Sequence, residues 1–178
     1  MNTPALDFAV DEAALIADLL IDLPNNHRAD WLATQFGRMD IVFFQDGPLL
    51  RQMTNEAIRC FVNGEFIATV LLAFSIAERS IAGRLLAAGD TGVREERDLG
   101  KLLKRACVRG WISKQELKHV TDVCSEFRNS LAHIRTSTEP GRHERRANDS
   151  ACSLSEIVES DARALLAMAF LILGKTSI

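Results

Sequence analysis

The stretch SKQELKHVTDVCSEFRNSLAHI, residues 113–134, decides the fold class of this chain. Its apolar residues recur at every third or fourth position, which is the spacing of one buried face of an α-helix. This face consists of Leu117, Val120, Cys124, Phe127, Leu131 and Ile134. At the start of the stretch, Ser113 and Glu116 have the spacing of a capping box, in which each side chain bonds the other residue's backbone N–H. The sequence therefore predicts a helix that begins at Ser113.

The same helical period extends over most of the chain. It predicts further helices over about 11–21, 28–44, 49–62, 64–88, 97–108 and 153–173. Asn63 is the predicted N-cap of the fourth of these, and Ser153 with Glu156 forms a second capping box before the last. The only β-like run is Ile41–Phe44, so a short strand there stays open. We therefore predict an all-α fold.

Length and composition limit the classes of protein that fit. The 178 residues suit a single domain, and 47% apolar residues, 25% charged residues and a net charge of −3 are ordinary for a globular protein. Because there is no overall basic excess, a nucleic acid would have to bind a local patch.

The longest apolar runs, 66–77 and 164–174, fall short of the roughly 20 residues that a membrane span needs. The N-terminus has no basic region typical of a signal or transit peptide, so we expect a cytoplasmic protein without membrane association.

The cysteines do not suggest a metal site. Cys60, Cys107, Cys124 and Cys152 form no C-x-x-C pair and are interpreted as reduced thiols. The nearest zinc set would join Cys124 and Cys152 to His133 and His143, but its spacings match no standard zinc module. We predict neither a metal nor a cofactor.

Glu78 interrupts an apolar row in the predicted helix 64–88. The row consists of Ile67, Leu71, Phe74, Ile81 and Leu85, and Glu78 occupies the position four residues after Phe74. A buried carboxylate without a partner is costly. Glu78 is therefore expected to bond a cation, to lie at the edge of a cleft in support of a site, or to be a solvated edge residue.

A polar group lies away from the buried face of the helix that begins at Ser113. At about 100° per residue, Arg128 falls on the flank of this face, while Asn129 and His133 fall near the opposite side, one turn apart. In a monomer such a pair would be ordinary surface.

The motif Phe127-Arg128-Asn129-Ser130-Leu131-Ala132-His133 resembles the signature of the HEPN superfamily, in which an arginine, often followed by an asparagine, precedes a histidine by four to six intervening residues. The segments Leu99-Gly100 and Gly110-Trp111-Ile112 also resemble the region upstream of that signature. The resemblance covers about residues 64–173 and implies a four-helix-bundle core. Residues 1–62 would then be a helical N-terminal extension within the same single domain.

The resemblance implies a homodimer in which two copies of the motif form one composite ribonuclease site. His133 would transfer a proton, Arg128 would bind and neutralise the phosphate, and Asn129 would orient either the imidazole or the phosphate. The stretch 136–152 is expected to be a mobile loop, and a set of arginines in and beside it is expected to bind RNA. These are Arg135, Arg142, Arg145 and Arg146.

The chain has no tyrosine, and Arg135 occupies the position two residues after His133. Family members controlled by nucleotidylation carry a tyrosine at that position, so this mode of control is disfavoured.

Two classes of function follow from these observations. The first is a metal-independent endoribonuclease of the toxin or antiviral-defence type, which cleaves RNA but not DNA and has an antitoxin or other neutralising protein as a possible partner. The alternative is a non-catalytic module that binds RNA, a nucleotide or a protein through the same helices. A purely structural helical adaptor is a third option.

Overall fold

The computed structural model describes residues 26–36, 47–96, 98–132 and 142–176, without the side chains of residues 26, 36, 94, 95 and 125–132. Within these ranges the elements are α1 (Asn26–Phe36), α2 (Gly47–Asn63), α3 (Phe66–Ala87), a 3-10 helix (Thr91–Glu95), α4 (Leu99–Val108), α5 (Lys114–Ala132), α6 (His143–Ser150) and α7 (Leu154–Thr176). These ranges contain no β-strand, which confirms the all-α prediction. The predicted helix 11–21 and the β-like run 41–44 lie outside the described residues.

The two longest helices, α3 and α7, form a parallel central pair. Near their first residues, Arg28 of α1 donates hydrogen bonds to the Val62 carbonyl at 3.2 Å and to Glu159 at 3.1 Å. Near their last residues, the hydroxyls of Ser80 and Thr176 are hydrogen-bonded. Since contacts join start to start and end to end, the two helices run in the same direction.

α5 runs antiparallel to α7. The Lys175 ammonium lies 2.9 Å from Glu116, and the Cys124 thiol lies 3.5 Å from the sulfur of Met168. The last part of α7 is therefore beside the first part of α5. We call the end of the bundle where α5 finishes and α7 begins the motif end, and the opposite end the far end.

The core lies between α3 and α7, with α2 packed against α3. The second half of α7 is buried on nearly all sides, so its apolar sequence reflects a central position in the fold. By length and composition α3 could also cross a membrane, although 44% of its most apolar window is buried. Packing against α2 and α7 covers one side of α3, on which Val70, Ala73 and Ala77 are buried.

The buried face of α3 differs from the predicted one. Ile67 and Leu71, which were assigned to the core, are each 56% exposed, while Val70, Ala73 and Ala77 are buried. Because α3 is apolar almost all round, its sequence does not identify the covered side, and the positions of α2 and α7 do.

Two other members of the predicted row lie at the edge of the core. Phe74 is half-buried and packs against the core, and Glu78 is a half-buried edge residue. Ile81 and Leu85 are buried as predicted. The predicted row therefore holds in its second half and fails in its first.

Both predicted capping boxes are present. The Ser113 amide donates to Glu116 at 2.7 Å, and the Glu116 amide donates to the Ser113 hydroxyl at 3.1 Å. Ser153 and Glu156 make the same reciprocal bonds at 2.7 and 3.2 Å. The starts of α5 and α7 are thus fixed by local sequence.

The predicted N-cap at Asn63 is wrong. Asn63 is the last residue of α2, and the chain reverses through Gly64, whose φ of 82° lies in the left-handed region that favours glycine. Glu65 then precedes α3 without a capping bond from its side chain. The turn is set by the glycine, because an asparagine can end a helix as readily as begin one.

Replacing Glu116 with glutamine should make stability less dependent on pH. The Ser113 amide, and then Lys175, lower the pKa of Glu116 from 4.5 to about 2. Because the pKa is lower in the folded state, the carboxylate's contribution is complete above about pH 4.5 and is lost as the pH falls toward 2. Glutamine preserves the capping box but not the charge. We expect Glu116→Gln to lower the free energy of unfolding by about 0.5–1 kcal/mol at pH 7.

The measurement is urea unfolding of both proteins at pH 7 and near pH 2. The difference between them should shrink at the lower pH. A difference of equal size at both pH values would contradict the assignment of this charge to α5 stability.

Candidate functional site

The motif lies, from Phe127 to Ala132, on the last two described turns of α5. The helix is continuous through Arg128 and Asn129 to Ala132, the last residue described in this part of the chain, so two of the three predicted catalytic residues lie on regular helix. Nothing is described of their side chains. His133 follows Ala132 directly and lies outside the described residues, as does Arg135.

The register between α5 and α7 gives the level of the motif in the bundle. Cys124 is beside Met168, and antiparallel helices advance by the same rise per residue. Four residues further along α5, the backbone of Arg128 is therefore level with Ala164. Ala132 is level with the turn of α7 that contains Asp161.

Asp161 is the centre of a buried charged cluster at this level. Only 1% of its side chain is exposed. The Arg146 guanidinium donates to both carboxylate oxygens, at 2.6 and 2.8 Å, so the ion pair is bidentate. Charge-assisted pairs of this geometry are among the stronger polar contacts in proteins. Asp161 thereby fixes α6 to α7.

His143 is the third member of the cluster. Its side chain is 7% exposed, and its Nε2 lies 3.0 Å from the nearer Asp161 oxygen without hydrogen-bond geometry. A buried imidazole beside a carboxylate can serve as a structural contact or take part in proton transfer. Since His143 is enclosed here, the described arrangement supports the structural role.

The stretch expected to be a mobile loop is partly helical. His143–Ser150 forms α6, so the expectation for 136–152 was wrong over these eight residues. The segment is weak in helix propensity, with Asn148, Asp149 and Ser150 in succession, but the Arg146–Asp161 pair holds it against α7. Residues 133–141 lie outside the described ranges.

The arginines predicted to bind RNA differ in their surroundings. Arg146 directs its charge to Asp161, so we do not carry it forward as an RNA contact. Arg142, just before α6, lies 3.6 Å from Glu144 and is largely covered. Arg145 is more exposed and lies 3.5 Å from Asp149. Of these residues, Arg145 is the one whose exposure best fits a surface contact with a phosphate.

The fold does not bring Glu78 to the motif. Ser80 is level with Thr176, so Glu78 is level with about Gly174, 13 residues from Asp161 along α7. At 1.5 Å per residue this separation is roughly 20 Å along the helix axis. Among the residues that the structure describes, Glu78 makes no hydrogen bond or ion pair. A supporting role for Glu78 at the motif has no structural basis here.

A second charged cluster at the motif end was not anticipated. Glu159 accepts hydrogen bonds from Arg28 at 3.1 Å and from Arg163 at 2.6 Å. Burial alone would raise the pKa of Glu159, but these two hydrogen bonds lower it. The Arg163 guanidinium also lies 5.2 Å from the ring centroids of Trp31 and Phe61. Ion pairs and cation–π contacts thus attach α1 to the bundle.

Asp161 was missed in the sequence although a signal was present. It lies four residues after Ile157 and four before Leu165, and both of these apolar residues are buried. Like Glu78, Asp161 occupies a position at which the apolar helical period predicts a buried side chain. For Asp161 that prediction would have been right. For Glu159 the sequence shows only the i,i+4 spacing to Arg163, because its other partner, Arg28, is 131 positions away in the chain.

The four cysteines are free thiols, with Cys152 exposed and the other three half-buried. Within the described part of the chain, no three histidine, cysteine or acidic side chains come together as a potential metal site. No protein-family model, curated protein sequence or solved structure is significantly similar to the chain.

Proposed function

We propose that this chain is a metal-independent endoribonuclease, of the toxin or antiviral-defence type, that acts in the cytoplasm as a homodimer. The proposal is carried by the Arg128-Asn129-x-x-x-His133 motif, whose first two residues lie on the continuous helix α5. The all-α fold agrees with the helical bundle that the HEPN resemblance implies.

The proposed reaction needs only groups of the protein and the RNA. His133 of one protomer accepts the proton of a ribose 2′-hydroxyl, and this oxygen attacks the adjacent phosphorus. The bond between phosphorus and the 5′-oxygen breaks, and the leaving oxygen takes a proton from the imidazolium of the second protomer. The products are a 2′,3′-cyclic phosphate and a free 5′-hydroxyl. An imidazole with a pKa near 6.5 suits both proton transfers at neutral pH.

Arg128 and Asn129 are assigned to the phosphate. The Arg128 guanidinium, charged at every relevant pH, binds the non-bridging oxygens with two parallel hydrogen bonds and stabilises the charge that builds in the transition state. Asn129 orients the imidazole or the phosphate. Two copies of the motif share one cleft in the proposed dimer. Polar residues opposite the core-facing side of α5 then belong to the catalytic site and are not ordinary surface.

The 2′-hydroxyl requirement gives a direct test of the reaction type. Two oligonucleotides of the same sequence are compared in EDTA, one entirely RNA and one with a 2′-deoxynucleotide at the site where the first is cut. We expect cleavage of the first only, and a cyclic phosphate at the new end. Cleavage at the deoxy position would exclude this chemistry. RNA binding without any cleavage would instead favour the non-catalytic binding module.

A further inference from the structure

We propose that residues 11–21 dock on an uncovered apolar surface of α3 in the same chain. This surface, the open face, consists of Ile67, Leu71 and Phe74. Ile67 and Leu71 are each 56% exposed, and Phe74 is half-buried. Because the three residues are spaced by four and three positions, they lie on one side of the helix. The packing of α3 carries this inference independently of the proposed ribonuclease activity.

The same side of α3 is covered toward the far end. Ile81 and Leu85 are fully buried, and Leu85 lies five helical turns after Ile67. The Asp90 amide donates to the Leu85 carbonyl at 3.0 Å, and the Asp90 carboxylate lies 2.8 Å from Arg105 of α4. The 3-10 helix and α4 therefore pack against the last turns of α3. Of the described residues, none covers the open face to the same extent.

The chain enters α1 beside the first turn of α3. At the start of α1, the Arg28 guanidinium lies 4.8 Å from the ring centroid of Phe66. Phe66 directly precedes Ile67 of the open face. Residues 11–21 lie outside the described ranges, but the stretch 22–25 that joins them to α1 spans at most roughly 14 Å. This short connection keeps residues 11–21 close to the open face.

The sequence of residues 11–21 predicts a helix with one apolar stripe. At about 100° per residue, two pairs of large aliphatic side chains fall on one side of this helix. These are Leu15 with Leu19 and Ile16 with Leu20. Asp11 and Asp18 fall on the flank of the stripe. Glu12 is in line with the stripe but lies in the first turn, where the helix dipole favours a carboxylate. The stripe needs an apolar surface to cover it.

A second copy of the chain is the competing occupant of the open face. From Ile67 to Phe74 the face extends roughly 10 Å along the helix, and a helix over residues 11–21 is roughly 16 Å long. A stable interface between separate chains usually buries about 800 Å² on each partner, which two helical turns alone do not supply. A short connection instead gives a tethered segment an effective concentration of about 1 mM. The size of the open face therefore favours the chain's own segment.

The test measures how fast a maleimide reacts with a thiol placed on the open face. Leu71→Cys is made in the full chain, and fragment mass spectrometry separates its labelling from that of the four native thiols. The reference is Val108→Cys, at a position that is 89% exposed. We expect the thiol at position 71 to react at least about tenfold more slowly than the thiol at position 108. Burial of one large aliphatic side chain changes a docking equilibrium by at least about this factor.

Two further variants of the Leu71→Cys protein identify what protects the thiol. Leu15→Asp with Leu19→Asp places charge in the stripe, and we expect labelling at position 71 to become at least about tenfold faster. The control, Ala14→Asp with Ile21→Asp, adds the same charge on the opposite side of the predicted helix. Its labelling rate should stay within about twofold of the parent rate.

Three results would overturn the inference. The thiol at position 71 could react as fast as the reference in the parent protein, which would show that the face is uncovered. Protection could persist in the stripe variant, or be lost equally in the control, and the stripe would then not be the occupant. Protection that disappears on dilution would assign the face to a second copy. Circular dichroism of each variant checks that the fold is retained.

Discussion

Replacing Arg128 with alanine is expected to slow RNA cleavage at least about 100-fold, because in the proposed reaction the transition state loses a charged hydrogen-bond donor. The chemistry adds negative charge to the phosphate, and a guanidinium meets it with two hydrogen bonds in a fixed geometry. Arg128→Lys keeps the charge but not this geometry, so it should recover only part of the activity. Initial rates on one RNA substrate in EDTA measure the effect.

The matched control is Arg59→Ala, which removes an exposed arginine from α2 and should leave the rate within about twofold of the wild type on the scale expected for a surface substitution. Circular dichroism of each variant checks that the fold is retained. Full activity in Arg128→Ala would remove Arg128 from the catalytic group. Equal losses in both variants would show a general effect of reduced charge.

The second large effect concerns stability. Arg146→Ala is expected to lower the free energy of unfolding by about 3–5 kcal/mol, because it leaves the Asp161 carboxylate without its bidentate partner. Asp161→Ala should cost less. The Arg146 side chain is 22% exposed and can reach water when its partner is removed, whereas Asp161 is only 1% exposed and cannot. Urea unfolding of both variants gives the two values.

The double variant Arg146→Ala with Asp161→Ala completes the cycle. It should be more stable than the Arg146→Ala protein, since the buried carboxylate is no longer present. If the two single effects simply add, the ion pair does not hold α6 against α7. A cost below about 1 kcal/mol for Arg146→Ala would lead to the same conclusion.

Local sequence rules predicted the parts of the fold that depend on local contacts. Ser113 with Glu116, and Ser153 with Glu156, each lie within four residues, and both boxes form as expected. The start of α3 follows from no such rule, because it depends on the reversal at Gly64. The buried side of α3 could not be read either, since a helix that is apolar all round takes its orientation from its neighbours.

The candidate site depends on contacts that are distant in sequence. α6 has weak helix propensity, and the bond between Arg146 and Asp161, 15 residues further along the chain, holds it against α7. Asp161 itself could have been found from its place between buried Ile157 and Leu165. Arg128 and Asn129 were placed correctly on a helix by periodicity. Their catalytic role, and that of His133, stays a prediction.

The most direct test of the central claim compares the wild type with His133→Ala on one RNA in EDTA. We predict that the wild type produces fragments ending in a 2′,3′-cyclic phosphate and that the variant loses at least about 100-fold in rate, within the range expected for removal of a general acid or base. A wild type that leaves RNA intact, or a His133→Ala protein that cuts it equally fast, would contradict the assignment of this chain as a ribonuclease.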